Sequence, residues 1–482
     1  MTEPSAPRSP SQAAASRYSG AQTDRSAPGT ASGDSMSPSA RRALFAAVTG
    51  TLIEWYDYAL YGAAAGLVIG PLFFAGAGSG ATLAAFATFA VGFVARPLGG
   101  LLIGHLGDRY GRRPAMMLTI IMMGVATVAI GLLPTTAAIG VLAPVLLVMF
   151  RLLQGMGAGA ELAGAMTIVA EFAPPKRRGL LTSCVLATPP AGIVLATGAF
   201  LLVSSLGDEA LLGWAWRVPF LASAVLFLLA LFIRRHLEET PEYVAALARA
   251  ESQQQRQAIP ALQLFRRHGR ALIIGFFSVT GHNALNYAMA VFALSLMTSE
   301  AVGLPRSAAL GAVTIGTIFG IIGTPLGGLA ADRFGPATVF AVGSALGAVY
   351  AFPLFSALSS GSALLAGAAI AGGYGLIIAM TSGSQGAFLA DLFPARERYS
   401  GIAITRELNG ALVAGLTPLG LALVIQWFDG AVVAAAAVVS VCCVLSLVAI
   451  AASRTLRPQQ ISGMDDTGRR GQTPAAPEAG PR

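Results

Sequence analysis

About twelve long apolar runs lie between residues 43 and 453, and they constrain the fold of this chain more than any other feature. Each run has about 20 residues or more, the length of a helix that crosses the hydrocarbon layer of a membrane. Such runs predict transmembrane helices, because lipid offers the backbone no hydrogen-bonding partner outside the helix itself. The runs are 43–68, 81–106, 113–134, 138–172, 179–206, 215–235, 270–298, 307–332, 336–357, 362–391, 400–427 and 430–453.

Composition excludes an ordinary soluble protein. The 482 residues are 55% hydrophobic and 11% charged, whereas a soluble protein carries about 25% charged residues. We therefore predict an all-α membrane protein with twelve transmembrane helices. The net charge of +8 does not indicate a nucleic-acid partner, because the basic residues stand at the ends of the apolar runs. Cys184, Cys442 and Cys443 lie inside apolar runs and indicate neither a disulfide framework nor a metal site.

Basic residues are concentrated in every second loop between the runs. Short loops rich in Lys and Arg mark the cytoplasmic side of a membrane. The intervening loops 71–80 and 135–140 carry no charge. The pattern predicts a multi-pass protein of a bacterial plasma membrane with both termini in the cytoplasm. The basic loop residues are Arg109, Arg112, Arg113, Lys176, Arg177, Arg178, the stretch 234–270, Arg333, Arg396, Arg398, Arg454 and Arg457.

The chain repeats itself in two halves separated by the polar stretch 234–270. GGLLIGHLGDRYGRR follows the second run and GGLAADRFGPA follows the eighth, while EFAPPKRRG follows the fourth and DLFPARERYSG the tenth. Two parallel repeats of six helices are typical of secondary carriers. The predicted domains are a disordered cytoplasmic tail (1–40), an N-terminal six-helix bundle (41–235), a cytoplasmic linker (236–269), a C-terminal six-helix bundle (270–453) and a second disordered tail (454–482).

Several motifs resemble those of one transporter family. Gly-His-Leu-Gly-Asp-Arg-Tyr-Gly-Arg-Arg (104–113) is similar to the loop between spans two and three of the major facilitator superfamily, and Arg-Leu-Leu-Gln-Gly (151–155) to its fourth-span motif. GTLIEWYDYALYG (50–62), ARPLGG, GWAWRVPF (213–220) and HLEETPEY resemble the metabolite:proton symporter family, which includes carriers of shikimate, 2-oxoglutarate, citrate and proline or betaine. The resemblance covers nearly all of 43–453. It implies two pseudo-symmetric bundles and proton-driven uptake of a small metabolite.

The chain also departs from the family pattern. The fourth span reads Gly-Ala-Glu at 159–161, the second-half turn ends Phe-Gly-Pro at 334–336, and the eleventh run carries Arg406 and Glu407. These departures leave the substrate more open than the mechanism.

The function predicted from these features is proton-coupled uptake of an organic acid anion by a monomer in the lipid bilayer. The first alternative is an uncoupled facilitator or exporter of a small zwitterion such as proline or betaine. A third hypothesis is a sensor that does not transport, or a membrane enzyme. The chain contains no nucleophile elbow, Walker A or HExxH sequence, so we expect neither an enzyme nor a cofactor.

Three carboxylates within the apolar runs are the predicted proton carriers. Glu54 and Asp57 are three residues apart and share one face of the first helix, while Glu161 lies in the fourth run. An ionisable group inside a span is expensive and therefore a candidate for function. Burial beside a like charge favours the protonated form of a carboxylate. Direct substrate contact and a purely structural pair remain alternatives for Glu54 and Asp57.

Polar residues on the fourth and seventh helices are the main candidates for substrate binding. Arg151, Gln154 and Glu161 follow one stripe of the fourth helix. A guanidinium at this depth needs a counter-ion, which Asp57, Glu161 or the carboxylate of a substrate would supply; a permanent ion pair is the alternative. The predicted substrate-binding residues are Tyr58, Tyr61, Arg151, Gln154, His282, Asn283, Asn286 and Tyr374.

The charged turn after the second run predicts a gate between the halves. Asp108 is expected to bond the start of the eleventh helix, whose dipole favours an anion. The arginines of the turn are expected to pair with Glu171 and Asp391, Arg96 with Glu161 or Glu171, and Arg406 with Asp108. Orientation of the loop by positive charge alone is the alternative. The predicted gating residues are Arg96, Asp108, Arg109, Arg112, Arg113, Glu171, Asp391 and Arg406.

Overall fold

The computed structural model describes residues 38–455 except 111, 159–161, 163–164, 167–168, 171–172, 238–260 and 395–397. Most of each predicted tail and of the predicted linker lies outside the described residues, but residues 38–40, predicted to belong to the disordered tail, are already helical. Among the residues that are described, every regular element is helical.

The helices follow the apolar runs of the sequence. They are α1 (Pro38–Ala64), α2 (Ala81–Tyr110), α3 (Arg112–Leu132), α4 (Leu142–Gly157), α5 (Arg178–Ser204), α6 (Arg217–Leu237), α7 (261–297), α8 (Arg306–Phe334), α9 (Pro336–Leu358), α10 (Ala363–Leu392), α11 (Arg398–Trp427) and α12 (Val432–Ser453). Helix α1 continues through a π-helical turn at Ala65–Ile69, and α7 contains another at Ala288–Phe292. Helix α7 begins at Ala261 rather than at the predicted 270, so part of the predicted linker is helical.

Seven of the described helices are long and apolar enough to cross a membrane. An eighth counts if Asp208–Ala215 and Arg217–Phe232, which meet at a bend of 50°, form one broken span. Met117–Leu132 and Leu142–Gly157 are shorter apolar helices. Twelve spans with both termini in the cytoplasm therefore stay a prediction.

The packing of the helices repeats along the chain. Helix α1 packs on α5, α2 on α4 and α3 on α6; in the second half α7 packs on α11, α8 on α10 and α9 on α12. Each second-half pair corresponds to a first-half pair six helices earlier. This pattern supports the predicted division into two bundles of six, which stays a prediction.

The two halves meet along four pairs of helices. Helix α5 packs on α8, α2 on α11, the end of α1 on α7, and the start of α5 also on α10. The first two pairs again correspond to each other by a shift of six helices. Side chains on α1, α2, α5 and α7 therefore surround the centre of the molecule, where both halves contribute.

Glycine permits the closest helix contacts at equivalent places in the repeat. A Cβ atom at Gly99 of α2 would overlap the backbone of Met156 of α4. A Cβ atom at Gly327 of α8 would overlap the backbone oxygen of Ala379 of α10. Small residues allow helices in membranes to approach this closely. The repeated Gly-Gly pair of the sequence thus corresponds to a repeated backbone contact.

Candidate functional site

A buried polar network joins α1, α3 and α4 around the carboxylate of Asp57, which has no solvent exposure. Thr127 on α3 donates a hydrogen bond from Oγ1 to Asp57 Oδ1. Gln154 on α4 donates from Nε2 to Asp57 Oδ2 at 2.6 Å and to Thr127 Oγ1 at 2.9 Å. Each carboxylate oxygen therefore accepts a hydrogen bond from a neutral side chain.

Arg151 is connected to this network through Gln154. Its Nη1 donates to Gln154 Oε1, and its other donors bond backbone carbonyls of α2 at 3.1 and 3.4 Å. Within the described part of the chain, Arg151 forms no ion pair with a carboxylate. A neutral amide thus links the guanidinium of Arg151 to the carboxylate of Asp57, two of the partners that the sequence predicted to meet.

Tyr61 supports Arg151 from the other side. The guanidinium carbon of Arg151 lies 3.8 Å from the centroid of the Tyr61 ring, where the electron-rich ring face attracts a cation. The Tyr61 hydroxyl shares a hydrogen bond of 2.6 Å with the Thr88 hydroxyl. Tyr61 therefore packs against Arg151, and the predicted contact of Tyr61 with a substrate stays a prediction.

Arg96 bridges the two halves of the molecule. Its Nη2 lies 2.9 Å from Glu54 Oε1 on α1, and its Nε lies 3.1 Å from Glu407 Oε2 on α11. The three side chains are at most 15% exposed. These partners differ from the predicted ones, Glu161 and Glu171, which lie outside the described residues. The bridge places Glu54 in an ion pair and brings in a carboxylate from the second half.

A small cavity lies between the halves, beside the Arg96 bridge. It has space for about one water molecule. Four aromatic side chains dominate its walls. The lining residues are Trp55, Tyr58, Ala59, Phe89, Ile193, Tyr287, Ala290 and Val291. Of the predicted substrate-binding residues, only Tyr58 lines this cavity.

The second-half candidates for binding are bonded to other residues of that half. Asn286 Oδ1 accepts a hydrogen bond of 3.0 Å from the hydroxyl of Tyr374, so two predicted residues pair with each other. Asn283 Nδ2 donates to Asn409 Oδ1 at 2.6 Å. His282 Nδ1 and the hydroxyl of Thr381 are 2.9 Å apart and share a hydrogen bond. Their role in substrate binding stays a prediction.

An ion pair and a helix cap join the halves at the end predicted to be cytoplasmic. Arg178 Nη1 lies 3.3 Å from Asp391 Oδ1, so Asp391 pairs with the start of α5. Asp332 of α8 accepts bonds of 2.6 and 2.9 Å from the backbone N–H groups of Gly179 and Leu180. At the opposite end Asp208 pairs with Arg306 of α8. Contacts therefore connect the halves on both sides of the cavity.

The remaining gating predictions fall partly on side chains that are not described. Arg406 donates to Gln385 Oε1 on α10. The side chain of Glu161, the third predicted proton carrier, is not described. The other predicted gating side chains that are not described are those of Asp108, Arg109, Arg112, Arg113 and Glu171.

Several residues of the site were not among the predicted ones, and they include Glu407, Thr127, Trp55 and Tyr287. Glu407 stands in an apolar run, so the rule that made Glu54 a candidate applies to it equally. Thr127, Trp55 and Tyr287 carried no such signal, because a hydroxyl or aromatic residue in an apolar run is ordinary. Only the folded chain brings them to Asp57 and to the cavity.

Comparison with known proteins places this architecture in context. Residues 43–406 match the family model of the Major Facilitator Superfamily. The chain is 38% identical over 387 residues to an inner membrane metabolite transport protein of Escherichia coli K12, covering 79% of this chain and 87% of that protein. It is 37% identical to the shikimate transporter of the same organism, covering 81% and 89%. It is 36% identical to a proline/betaine transporter of Salmonella typhimurium, covering 78% and 76%.

Solved structures give the same picture of the fold. The crystal structure of a D-xylose-proton symporter matches with a TM-score of 0.66 over 88% of this chain and 99% of that one, at 20% identity. A partially occluded, inward-open xylose transporter from E. coli matches with the same TM-score at 19% identity.

Proposed function

The chain belongs to the Major Facilitator Superfamily, and from that premise we propose that it imports a small organic acid anion together with protons. It is a multi-pass membrane transporter and not an enzyme, as its family and relatives are. The proton, the class of substrate, the direction of transport and action as a monomer are parts of the proposal.

The observation that carries the proposal is the link from Asp57 through Gln154 to Arg151. With Asp57 ionised, its charge balances that of Arg151 across the amide. A proton on Asp57 removes one negative charge and leaves the guanidinium without a balancing anion. A substrate carboxylate then restores the balance, because opposite charges attract strongly in a low dielectric. Proton and anion thus enter together, with no net charge added to the site.

The Arg96 bridge supplies the mechanical part of the proposal. Separating α2 from α11 breaks the contact between Arg96 and Glu407 but leaves Arg96 paired with Glu54 in its own half. An arginine that keeps one carboxylate avoids the large cost of an unpaired buried charge. The halves are therefore able to separate on one side without leaving the charge of Arg96 unpaired.

The test is uptake into proteoliposomes with an imposed pH gradient, acid outside. The probes are shikimate, 2-oxoglutarate, citrate, proline and glycine betaine. We expect accumulation of at least one carboxylate probe, which a protonophore abolishes. Accumulation that survives the protonophore contradicts proton coupling and favours a facilitator.

The variant Arg151→Gln tests the anion-binding half of the proposal. Glutamine keeps a polar side chain but removes the positive charge, so we expect uptake of an anionic probe to fall at least about tenfold, since a charged hydrogen bond contributes about 1.5–3 kcal/mol. Arg306→Gln, an exposed pair at the end of the molecule, is the control and should retain uptake. Wild-type uptake by Arg151→Gln refutes the assigned role.

A second candidate function is transport of a zwitterion such as proline or betaine. The aromatic walls of the cavity favour it, because ring faces attract cationic nitrogen. The Salmonella relative named a proline/betaine transporter also supports it. Preference for glycine betaine over shikimate in the same vesicles identifies this alternative.

A further inference from the structure

Two residues that line the central cavity each carry a buried polar atom with no hydrogen-bond partner among the described residues. These atoms are Nε1 of Trp55 and the hydroxyl of Tyr58, both on α1. Both side chains line the cavity, and they are only 9% and 2% exposed. A buried donor without a partner costs about 1–3 kcal/mol, so a structure retains such groups where something else binds them.

The two atoms define the chemistry of what they bind. An indole N–H only donates hydrogen bonds, and a phenol hydroxyl donates as well as accepts. Their common partner must therefore be an acceptor. A carboxylate fits best, because one group offers two acceptor oxygens and because a charged acceptor strengthens each bond.

Electrostatics in the wall also favour an anion. The guanidinium carbon of Arg96 lies 4.8 Å from the centroid of the Tyr58 ring, and that of Arg151 lies 5.9 Å from it. Two cations thus flank Tyr58, and only Arg96 is in ion pairs with described carboxylates. Among the residues that the structure describes, no charged side chain lines the cavity itself.

The remaining lining residues are apolar or aromatic. Phe89 of α2 and Tyr287 of α7 form part of this wall, with their ring centroids 6.0 Å apart. Such a wall accommodates the hydrocarbon body of a compact acid, which gains stability by leaving water. Ala290 and Val291 complete this side from the second half.

We propose that Trp55 and Tyr58 bind the carboxylate of the transported metabolite while its body lies against Phe89 and Tyr287. This substrate class, a compact acid with one carboxylate end anchored on α1, rests on the proposed transport function. Anions and zwitterions both satisfy it, whereas a cation without a carboxylate does not.

The cavity must widen to admit such a molecule. A Cβ atom at Gly62 of α1 would come within 2.9 Å of the Val291 side chain of α7, so these helices are in close contact beside the site. Separation of α1 from α7 opens the cavity and exposes both donors to an entering carboxylate.

The experiment measures binding to the full-length protein in lipid nanodiscs by equilibrium dialysis. The probes are radiolabelled shikimate, benzoate, proline and glycine betaine, with choline as a cation that lacks the carboxylate. The variants are Tyr58→Phe, which keeps the ring and removes the hydroxyl, and Trp55→Phe, which replaces the indole by a smaller aromatic ring without the N–H donor. Trp214→Phe is the matched control, because Trp214 is 57% exposed and is not one of the residues that line the cavity.

We expect at least one carboxylate probe to bind the wild type and choline not to bind. Each cavity variant should weaken that binding about tenfold or more, as expected for loss of a hydrogen bond to a charged group, and Trp214→Phe should leave it unchanged. Thermal unfolding of each variant checks that it folds. If Trp55→Phe does not fold, Tyr58→Phe alone tests the proposed site.

Other outcomes separate the two proposals. Unchanged binding in both cavity variants, binding of choline as tight as that of the carboxylates, or no binding of any carboxylate probe overturns the site. Carboxylate binding that needs Trp55 and Tyr58, without uptake into vesicles under a pH gradient, supports the site and refutes the proposed function.

Discussion

Asp57 and Glu54 stand three residues apart on α1, yet they have different surroundings. Asp57 is bonded by the neutral groups of Thr127 and Gln154, whereas Glu54 is in an ion pair with Arg96. A proton on Glu54 weakens an ion pair directly, while a proton on Asp57 leaves every arginine with its present hydrogen-bond partners. Of the two, Asp57 is the better proposed proton carrier.

The variant Asp57→Asn tests that assignment. Asparagine has nearly the same shape and still accepts the bond from Thr127, but it cannot bind or release a proton. With one proton per solute, a gradient of one pH unit supports about tenfold accumulation, since one unit corresponds to 1.36 kcal/mol. We expect that accumulation to vanish in Asp57→Asn while exchange of labelled for unlabelled solute continues.

The control for Asp57→Asn is Asp208→Asn, an exposed aspartate in the ion pair at the end of the molecule. It should accumulate solute as the wild type does. If Asp57→Asn still accumulates solute under a pH gradient, another carboxylate carries the proton, and Glu407 and Glu54 are the next candidates.

At the scale of helices, close contacts repeat between the halves, and one half shows a helix cap that the sequence predicted for the other. The sequence predicted that Asp108 bonds the start of α11, and its side chain lies outside the described residues. Its counterpart Asp332 accepts two backbone N–H bonds at the start of α5. A carboxylate at this position satisfies free N–H groups and the positive end of the helix dipole. The repeat thus supports the prediction for Asp108 without testing it.

The contact of α2 with α4 gives a prediction at this scale. Gly99→Ala places a methyl group against the backbone of Met156, whereas Gly100→Ala meets nothing within 4 Å. Overpacking costs about 1–3 kcal/mol, so we expect Gly99→Ala to unfold at lower temperature than the wild type in detergent. Gly100→Ala is the control, because any gain in helix propensity is common to both substitutions.

An equal unfolding temperature for the two alanine variants contradicts the close contact. The same comparison applies in the second half, where Gly327→Ala would meet the backbone of Ala379 and Gly311→Ala would meet nothing within 4 Å.

For the whole molecule, contacts between the halves lie on both sides of a very small cavity. Arg178 with Asp391 and Asp208 with Arg306 are at the two ends, and Arg96 with Glu407 is buried between them. The exposed pairs contribute little, since surface ion pairs are worth about 0–1 kcal/mol. The buried bridge is the contact whose loss should change how far the halves separate.

The variant Glu407→Gln tests this bridge. Loss of the charge leaves Arg96 with Glu54 alone, so α2 and α11 should separate more often. Spin labels at Leu98→Cys and Leu412→Cys, exposed positions on these two helices, report the distance after Cys184, Cys442 and Cys443 are replaced. We expect the distance distribution to shift toward longer values in Glu407→Gln.

Glu300→Gln, at an exposed turn after α7, serves as the comparison for this measurement and should keep the wild-type distribution. Identical distributions in Glu407→Gln and the wild type exclude the bridge as a contact that restrains the halves.

Much of the architecture was predictable from local sequence, because a bilayer permits few structures. Apolar length located α8, α9 and α12 closely, since each backbone must satisfy its own hydrogen bonds in lipid. The repeated motifs predicted the equivalence of the halves, and the equivalent packing of Gly99 and Gly327 agrees with it. Intramembrane charge likewise singled out Asp57, Arg151 and Arg96, because such groups are costly wherever the helices lie.

The sequence by itself determined a helical membrane transporter with a few expensive polar groups, because those properties depend on composition and spacing along one helix. Only the tertiary structure decided the partners: Gln154 between Asp57 and Arg151, Glu407 across the halves from Arg96, and Trp55 beside the cavity. Partner choice depends on how helices distant in sequence are rotated and packed against one another. No periodicity within a single helix contains that information.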